Sequence, residues 1–265
     1  MPSERQDDLR PRSTDADDYQ ALPQSVGAMA KTFADGHVIA PHAHARDQLL
    51  HSTKGVMRLL TDHASLVVPP DRAVQIPAGL RHSVHMHGAV EMRTLYIVPD
   101  AGGPGSTDIQ VFAVSPLLRA LIVALCDEPV QYAPGSRGDL IAQLIVSEIR
   151  QATEVAFSAP LPRDPRLQKL CAALIAAPGD RRTLTEWADS SGASSRTLAR
   201  LFESELGMGF VEWRRRIRFH HAIDRLNRGD AIDAVAHAVG YKSASAFSAA
   251  FRAVMGAQPS KALSE

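Results

Sequence analysis

The sequence predicts an α+β fold of two domains: an N-terminal β-barrel or sandwich with flanking helices, and an all-α C-terminal domain. Short apolar runs cut by glycine and proline fill residues 26–100. Closely spaced short strands of this kind are typical of a small sandwich or barrel. One helix-turn-helix pattern occurs twice between Thr183 and Pro259. A chain of 265 residues is long enough for two such domains.

The N-terminal domain is predicted to follow a polar arm. Residues 1–25 are highly charged and show no periodicity, which is typical of a mobile segment. The barrel is expected over residues 26–100. Its candidate strands are Val56–Thr61, Ala64–Val68, Val74–Ile76, Ser83–Met86 and Val90–Val98.

A helical region is expected over residues 101–157. Helices are predicted at Ser115–Leu125, where a serine cap precedes a proline, and at Gly138–Gln151. The proline-rich residues 158–163 are predicted to be a linker. The second helix carries an apolar stripe, formed by Leu140, Ile141, Leu144, Ile145 and Ile149. Such a stripe can pack on the barrel, pair two subunits, or do both.

Two helix-turn-helix units are predicted within residues 164–262. Thr183 begins the first unit with the capping-box pattern TLTE, and Gly192 can adopt the left-handed backbone of a tight turn. Gly240 makes the equivalent turn in the second unit. An amphipathic helix from Phe210 to about Asn227 is predicted to join the units and to fix the separation of their recognition helices.

Residues 163–262 resemble the DNA-binding domain of the AraC/XylS family of bacterial transcription regulators. The resemblance covers both units, the connecting helix and the closing GAQPSKAL. It implies that double-stranded operator DNA is contacted in successive major grooves. The implied DNA contacts are Ser195, Arg196, Ala199, Arg200, Arg214, Arg218, Lys242, Ser243, Ala244, Ser245, Ser248 and Arg252.

The two recognition helices carry different side chains. The planar fork of Arg196 can bridge guanine O6 and N7, while Arg200 can do the same, pair with Glu203 or Glu205, or contact phosphate. The second helix presents mainly alanine and serine, which provide little bidentate readout. We therefore expect stringent reading of the first half-site and loose reading of the second. Phosphate contacts are expected from Lys242, Arg214 and Arg218.

Charge and cysteine use are consistent with this interpretation. Residues 163–265 hold 16 Lys/Arg and 11 Asp/Glu, whereas the remainder holds 13 and 18, so the basic part is where phosphate would be met. Cys126 and Cys171 are expected to be buried free thiols of a reducing cytoplasm. The sequence has neither an apolar run of about 18 residues nor a signal-peptide core, so we expect a cytoplasmic protein without a membrane span.

A histidine pattern, PHAHARDQ followed by PAGLRH, resembles the two motifs of the cupin barrel. The N-terminal domain is therefore expected to be cupin-like, or jelly-roll-like. The resemblance implies a metal site formed by His42, His44 and His82, with Gln48 where a glutamate is usual. Alternation along one strand would aim His42 and His44 at the same interior. Imidazoles suit zinc, nickel or iron, whereas the amide oxygen of Gln48 is a weak ligand.

The same histidines could instead line a pocket for water or an organic ligand. The remaining histidines of the barrel region are expected at the surface or on strand faces: His51, His63, His85 and His87. Those of the C-terminal domain are expected on helix faces: His220, His221 and His237.

Three functions remain open. The favoured one is a homodimeric regulator, not an enzyme, whose barrel senses a small molecule or a metal ion. The alternatives are a metal-dependent cupin enzyme joined to a DNA-binding domain, and a ligand-independent DNA-binding protein that uses the barrel as a scaffold.

Overall fold

The computed structural model describes residues 12–99, 101, 108–155, 158–255 and 258–259. After a short 3₁₀ helix at Ala16–Tyr19, the strands are β1 (Val26–Phe33), β2 (Val38–His42), β3 (Asp47–Leu60), β4 (Ala64–Val68), β5 (Arg72–Ile76), β6 (His82–Ile97), β7 (Gln110–Ala113) and β8 (Ala159–Pro160). The helices are α1 (Pro116–Cys126), α2 (Arg137–Gln151), α3 (Pro165–Ala176), α4 (Leu184–Ser191), α5 (Ser195–Leu206), α6 (Phe210–Asn227), α7 (Ile232–Ala238) and α8 (Ala244–Met255).

The N-terminal domain is one eight-stranded antiparallel sheet with two halves. The two longest strands, β3 and β6, run through both halves. The first part of β3 and the last part of β6 lie with β1, β5 and β7, whereas their other parts lie with β2, β4 and β8. The predicted α+β fold, with a sheet-rich first domain and an all-α second domain, is confirmed. Between the described strands, however, no pairing closes the sheet into a continuous barrel.

Glycine allows β3 to pass from one half to the other. The pairing of β3 with β6 shifts register between Ser52 and Val56. Gly55, at φ +76°, sits in this bulge, and a Cβ there would lie 2.4 Å from the carbonyl oxygen of Ala89. The predicted strand Val56–Thr61 is therefore only the second part of β3. In the same way, the predicted strands Ser83–Met86 and Val90–Val98 are parts of the single strand β6.

Two apolar clusters hold the N-terminal domain together. One fills the space between the sheet halves and includes Leu50, Met57 and Tyr96. The other joins α1 and α2 to the outer face of the first half, where Ile122 and Ile145 pack with the strands. Both predicted helices are confirmed, but the stripe on α2 divides into a buried and an exposed part. Its isoleucines are buried, whereas Leu140 and Leu144 are more than half exposed.

Helix α6 is the central helix of the C-terminal domain and contributes to both of its apolar clusters. Its first part packs with α3, α4 and α5 around Trp213, and its second part packs with α7 and α8 around Phe219. The capping box at Thr183 is present, and Gly192 and Gly240 have φ values of 70° and 86°. The two predicted helix-turn-helix units are therefore confirmed, with their recognition helices at α5 and α8.

The two domains share a packed seam. Val56 and Val67 of the sheet belong to the same apolar cluster as Phe219 and Ile223 of α6. The predicted linker is part of this seam, because β8 pairs with β4 and the indole Nε1 of Trp213 donates to the carbonyl of Pro160 at 2.8 Å.

The described part of the predicted arm, residues 12–25, lies against the sheet. Tyr19 and Leu22 are buried in the cluster between the sheet halves, and residues 1–11 of the predicted arm lie outside the described residues. None of the helices in the described ranges is long and apolar enough to cross a lipid bilayer.

Candidate effector pocket and DNA-binding surface

The three predicted metal-ligand histidines meet at the mouth of the space between the sheet halves. One ring nitrogen from each of His42, His44 and His82 lies within 4.8 Å of the others. His42 ends β2 and His82 begins β6, where the two residues are paired in register. His44 lies beyond the end of β2, so alternation along one strand is not what aims it at the cluster. The strand argument was therefore wrong for His44, although the grouping that it predicted is present.

Backbone carbonyls orient two of these rings. Nδ1 of His42 lies 2.8 Å from the carbonyl oxygen of Ala40, and Nδ1 of His82 lies 2.9 Å from that of Leu80. A carbonyl can only accept, so each Nδ1 carries a proton, and in the neutral ring Nε2 keeps its lone pair. Nε2 of His82 is buried and has no hydrogen-bond partner among the described residues. A carbonyl behind each ring is the arrangement that orients histidine ligands in metal sites.

Burial keeps the rings of His44 and His82 neutral. It lowers the pKa of His44 to about 4, with smaller contributions from the neighbouring His42 and His82. Burial also lowers the pKa of His82 to about 4, and the hydrogen bond to Leu80 only partly opposes this effect. Neutral imidazole is the form that binds transition metals. The donor set therefore fits a zinc, nickel or iron ion, and it is the one cluster of three potential ligands found within the described residues.

A cavity of about 480 Å³ extends from the histidines into the sheet. Its lining combines polar side chains with apolar ones, which include Met29, Leu50 and Met92. Gln48 donates from Nε2 to the hydroxyl of Thr94 at 3.0 Å, while its buried Oε1 has no partner among the described residues. That free oxygen is an acceptor for a ligand, as the predicted role of Gln48 requires.

The sequence reasoning missed three parts of this cavity. Tyr96 stands with its ring edge against His44 at 5.0 Å between centroids, and Thr14 and Asp15 line the opening. Tyr96 follows the two-residue period of Met92 and Thr94 along β6, which was a usable signal. Thr14 and Asp15 belong to a polar stretch whose sequence carries no sign of contact with the sheet.

The outward face of α5 carries the two arginines that are predicted to read guanine. Arg196, Ala199 and Arg200 are exposed, and Ser195 is half-buried beside the N-cap Ser194. The guanidinium groups of Arg196 and Arg200 have no hydrogen-bond or ion-pair partner within the described ranges. The oxygen Oε2 of Glu205, one of the two alternative partners of Arg200, accepts instead from the backbone of Arg163 and Asp164.

The second recognition helix has short side chains at its surface. Ser243 caps α8 through the backbone N–H of Ala246 at 3.2 Å, and its hydroxyl lies 3.0 Å from that of Ser245. The remaining predicted contacts of this unit are exposed or half-buried, namely Lys242, Ala244, Ser248 and Arg252. Apart from the basic side chains of Lys242 and Arg252, this face presents methyl and hydroxyl groups.

Two arginines predicted to contact phosphate hold the C-terminal domain together. Arg214 donates to the carbonyl of Arg182 at 2.7 Å and lies over the ring of Phe210. Arg218 donates to the carbonyls of Pro178 and Asp180 at 3.0 and 2.8 Å. Both groups tie α6 to the α3–α4 connection, so their phosphate contacts remain predictions that compete with a structural role.

Comparison with known proteins agrees with this architecture. Residues 29–211 match the AraC-like ligand binding domain, and residues 187–265 match a helix-turn-helix domain. The chain is 29% identical over 220 residues to the HTH-type transcriptional regulator NimR of Escherichia coli K12, which covers 83% of this chain and 80% of that protein. It is 35% identical over 111 residues to the regulator RipA of Corynebacterium glutamicum, covering 42% of this chain and 34% of that one.

Among solved structures, ToxT from Vibrio cholerae aligns over 91% of this chain and all of its own, at 12% identity and a TM-score of 0.39. The sheet domain with its pocket and the double helix-turn-helix domain define a DNA-binding transcription regulator with a ligand-binding domain. The chain belongs to the AraC family of these regulators.

Proposed function

We propose that this regulator senses a small molecule or a transition metal in the sheet pocket and binds operator DNA as a homodimer. The observation that carries the sensing role is the cluster of three histidines, two of which line the cavity in the sheet. His42, His44 and His82 would hold the ion, with the Oε1 of Gln48 as a fourth donor. A bound metal would act as a Lewis acid that fixes an effector oxygen or nitrogen at this point.

We infer a non-enzymatic role for the pocket. Gln48 stands where the resemblance to cupins implies a charged glutamate, and an amide oxygen holds a catalytic metal less firmly than a carboxylate does. The named relatives are transcriptional regulators, which supports the same conclusion. We expect the reducing cytoplasm to be the working compartment, since Cys126 and Cys171 are buried free thiols.

The homodimer is proposed from α1 and α2. Leu117, Leu140 and Leu144 are 54%, 55% and 53% exposed, although their helices are otherwise well packed. Exposed apolar side chains on neighbouring helices are typical of the buried centre of a subunit interface. Two DNA-binding domains held in this way would reach repeated operator half-sites.

The DNA-binding role is tested by selecting operators from a random duplex pool and then mutating every base of the selected site. We expect Arg196→Ala to lower affinity roughly tenfold or more and to relax base preference at one position of the first half-site. Arg163→Ala is the matched control, because this exposed side chain lies outside both recognition helices. Equal base preference in the two half-sites, or an unchanged preference in Arg196→Ala, would contradict the assignment.

A further inference from the structure

A second cavity lies in the seam between the two domains, away from the histidine cluster. It has a volume of about 470 Å³ and is bounded by β3, β4 and β6 on one side and by α6 on the other. Both domains therefore contribute to its wall. The residues that line it include no member of the predicted metal site.

Basic side chains outnumber acidic ones in the lining of this seam cavity. Arg58, Arg225 and Arg228 line it, whereas Asp224 is the single carboxylate in the described lining. Asp224 forms an ion pair with Arg58 across the domain boundary, and Arg225 pairs with Asp230 at the edge. Arg228 is exposed, and no hydrogen-bond or ion-pair partner of its guanidinium is found within the described ranges. The lining thus holds more guanidinium charge than its carboxylate can neutralise.

Several buried polar atoms of the same cavity have no partner among the described residues. They are Nε of Arg58, Nε2 of His87, Nε2 of His221 and Oδ1 of Asp224. Buried polar groups are nearly always satisfied in proteins, so four such atoms at one place indicate that water or a bound ligand completes their hydrogen bonds. Three of the four are nitrogens that donate when protonated, and an arginine Nε always donates.

The same neighbouring charges shift the pKa of both histidines in the cavity, His87 and His221. Burial lowers the pKa of His87, and Arg58 and Arg228 lower it further, while Asp224 opposes them. Burial also lowers the pKa of His221, again reinforced by Arg58 and opposed by Asp224. A second negative charge in the cavity would raise the pKa of both rings and so favour their protonated form, in which Nε2 donates.

We propose that the seam cavity binds a small polyoxygen anion, a phosphate or a carboxylate, which bridges the sheet domain and α6. Oxygen acceptors of such a group match the forked donors of the arginines and the two ring nitrogens. Its occupant would hold α6 against the sheet, because Arg58 and His87 belong to one domain and Arg228 and His221 to the other. The site shares no residue with the histidine cluster.

The test is calorimetric titration of the full chain, without DNA, with inorganic phosphate in one arm and citrate in the other, against a sodium chloride blank. We expect saturable binding in at least one arm, weakened roughly tenfold in Arg228→Gln, where one charge-assisted hydrogen bond is lost. Arg181→Gln is the matched control, an exposed arginine of the same domain outside the cavity. Binding of phosphate alone or of citrate alone would each support the site and would show whether the ligand is a phosphate or a carboxylate.

A second variant pair protects the test against misfolding. Removing Arg58 alone would leave Asp224 buried and unpaired, so Arg58→Gln is combined with Asp224→Asn. We expect this double variant to bind the anion more weakly than the parent protein does. Absence of saturable binding in both arms, or equal binding by Arg228→Gln and Arg181→Gln, would overturn the proposal. Neither result bears on the histidine cluster.

Discussion

At the scale of single residues, burial decides what each histidine can do. The spacing of the sequence correctly grouped His42, His44 and His82, because motif spacing depends on local chain geometry. The same sequence suggested a strand-face or surface position for His51, which is fully buried. A two-residue alternation shows which face a side chain lies on, but it does not show that α1, with Arg119, covers that face. Only the tertiary structure supplies this information.

His51 makes stability depend on pH. Burial lowers its pKa from 6.5 to about 4, and the hydrogen bond to the carbonyl of Arg72 only partly compensates. The folded state therefore binds its proton more weakly than the unfolded state does. The contribution of His51 to the free energy of unfolding is fully present above pH 6.5. It is lost as the pH falls from 6.5 towards 4, by up to about 3 kcal/mol.

Urea unfolding at pH 7.5 and pH 5.0 tests this prediction. We expect the loss of unfolding free energy between these values to be smaller in His51→Gln than in the parent protein. His63→Gln, an exposed histidine, should behave like the parent. An identical loss in all three proteins would show that His51 does not contribute.

At the scale of elements, the lengths of strands that contain an internal glycine were the hardest to predict. Gly55 and the polar residues before it read as a break, so β3 was predicted to begin at Val56. In the structure the glycine occupies a bulge inside a strand of 14 residues. A glycine at positive φ is equally compatible with a turn and with a bulge, and only the pairing partner distinguishes them. Helix boundaries were predicted more closely, because caps such as Ser115 and Thr183 are local.

The bulge predicts different effects for two glycines with the same backbone. Gly55 and Gly36 both have φ +76°, but a Cβ at Gly36 meets no atom within 4 Å. Gly36→Ala should lose about 1 kcal/mol from backbone strain alone. Gly55→Ala should lose roughly 3 kcal/mol or more, because the methyl group also collides with the opposite strand. Chemical denaturation of both variants checks this, and equal losses would show that the bulge tolerates a side chain.

At the scale of the whole molecule, the seam between the domains was beyond the reach of sequence patterns. Arg58 and Asp224 are 166 residues apart, and neither lies in a recognisable motif. The predicted linker 158–163 became part of the sheet because its backbone completes the edge of β4. In this packing β3 borders the pocket at Leu50 and contacts α6 at Val56. A ligand that stabilises one arrangement of this seam would shift the population of DNA-binding forms.

The dimer proposal concerns the same scale. Replacing Leu140 and Leu144 together with aspartate should convert a dimer into a monomer, since charged groups would have to be buried at the proposed interface. Val211→Asp is the control, because Val211 is 69% exposed but lies on α6. Sedimentation velocity at micromolar concentration distinguishes the outcomes. A monomeric parent, or a leucine variant that remains dimeric, would contradict the proposal.

The most direct measurement of the central claim is metal content and operator affinity, determined together on tag-free protein. The parent and His63→Ala should each carry close to one transition-metal ion per chain. His42→Ala combined with His44→Ala should carry almost none, because two of the three imidazole ligands are lost. We also predict that removing and restoring the metal changes operator affinity in the parent but not in the double variant. No transition metal in the parent would contradict the metal role of the three histidines, and an operator affinity that is the same with and without the metal would contradict metal sensing.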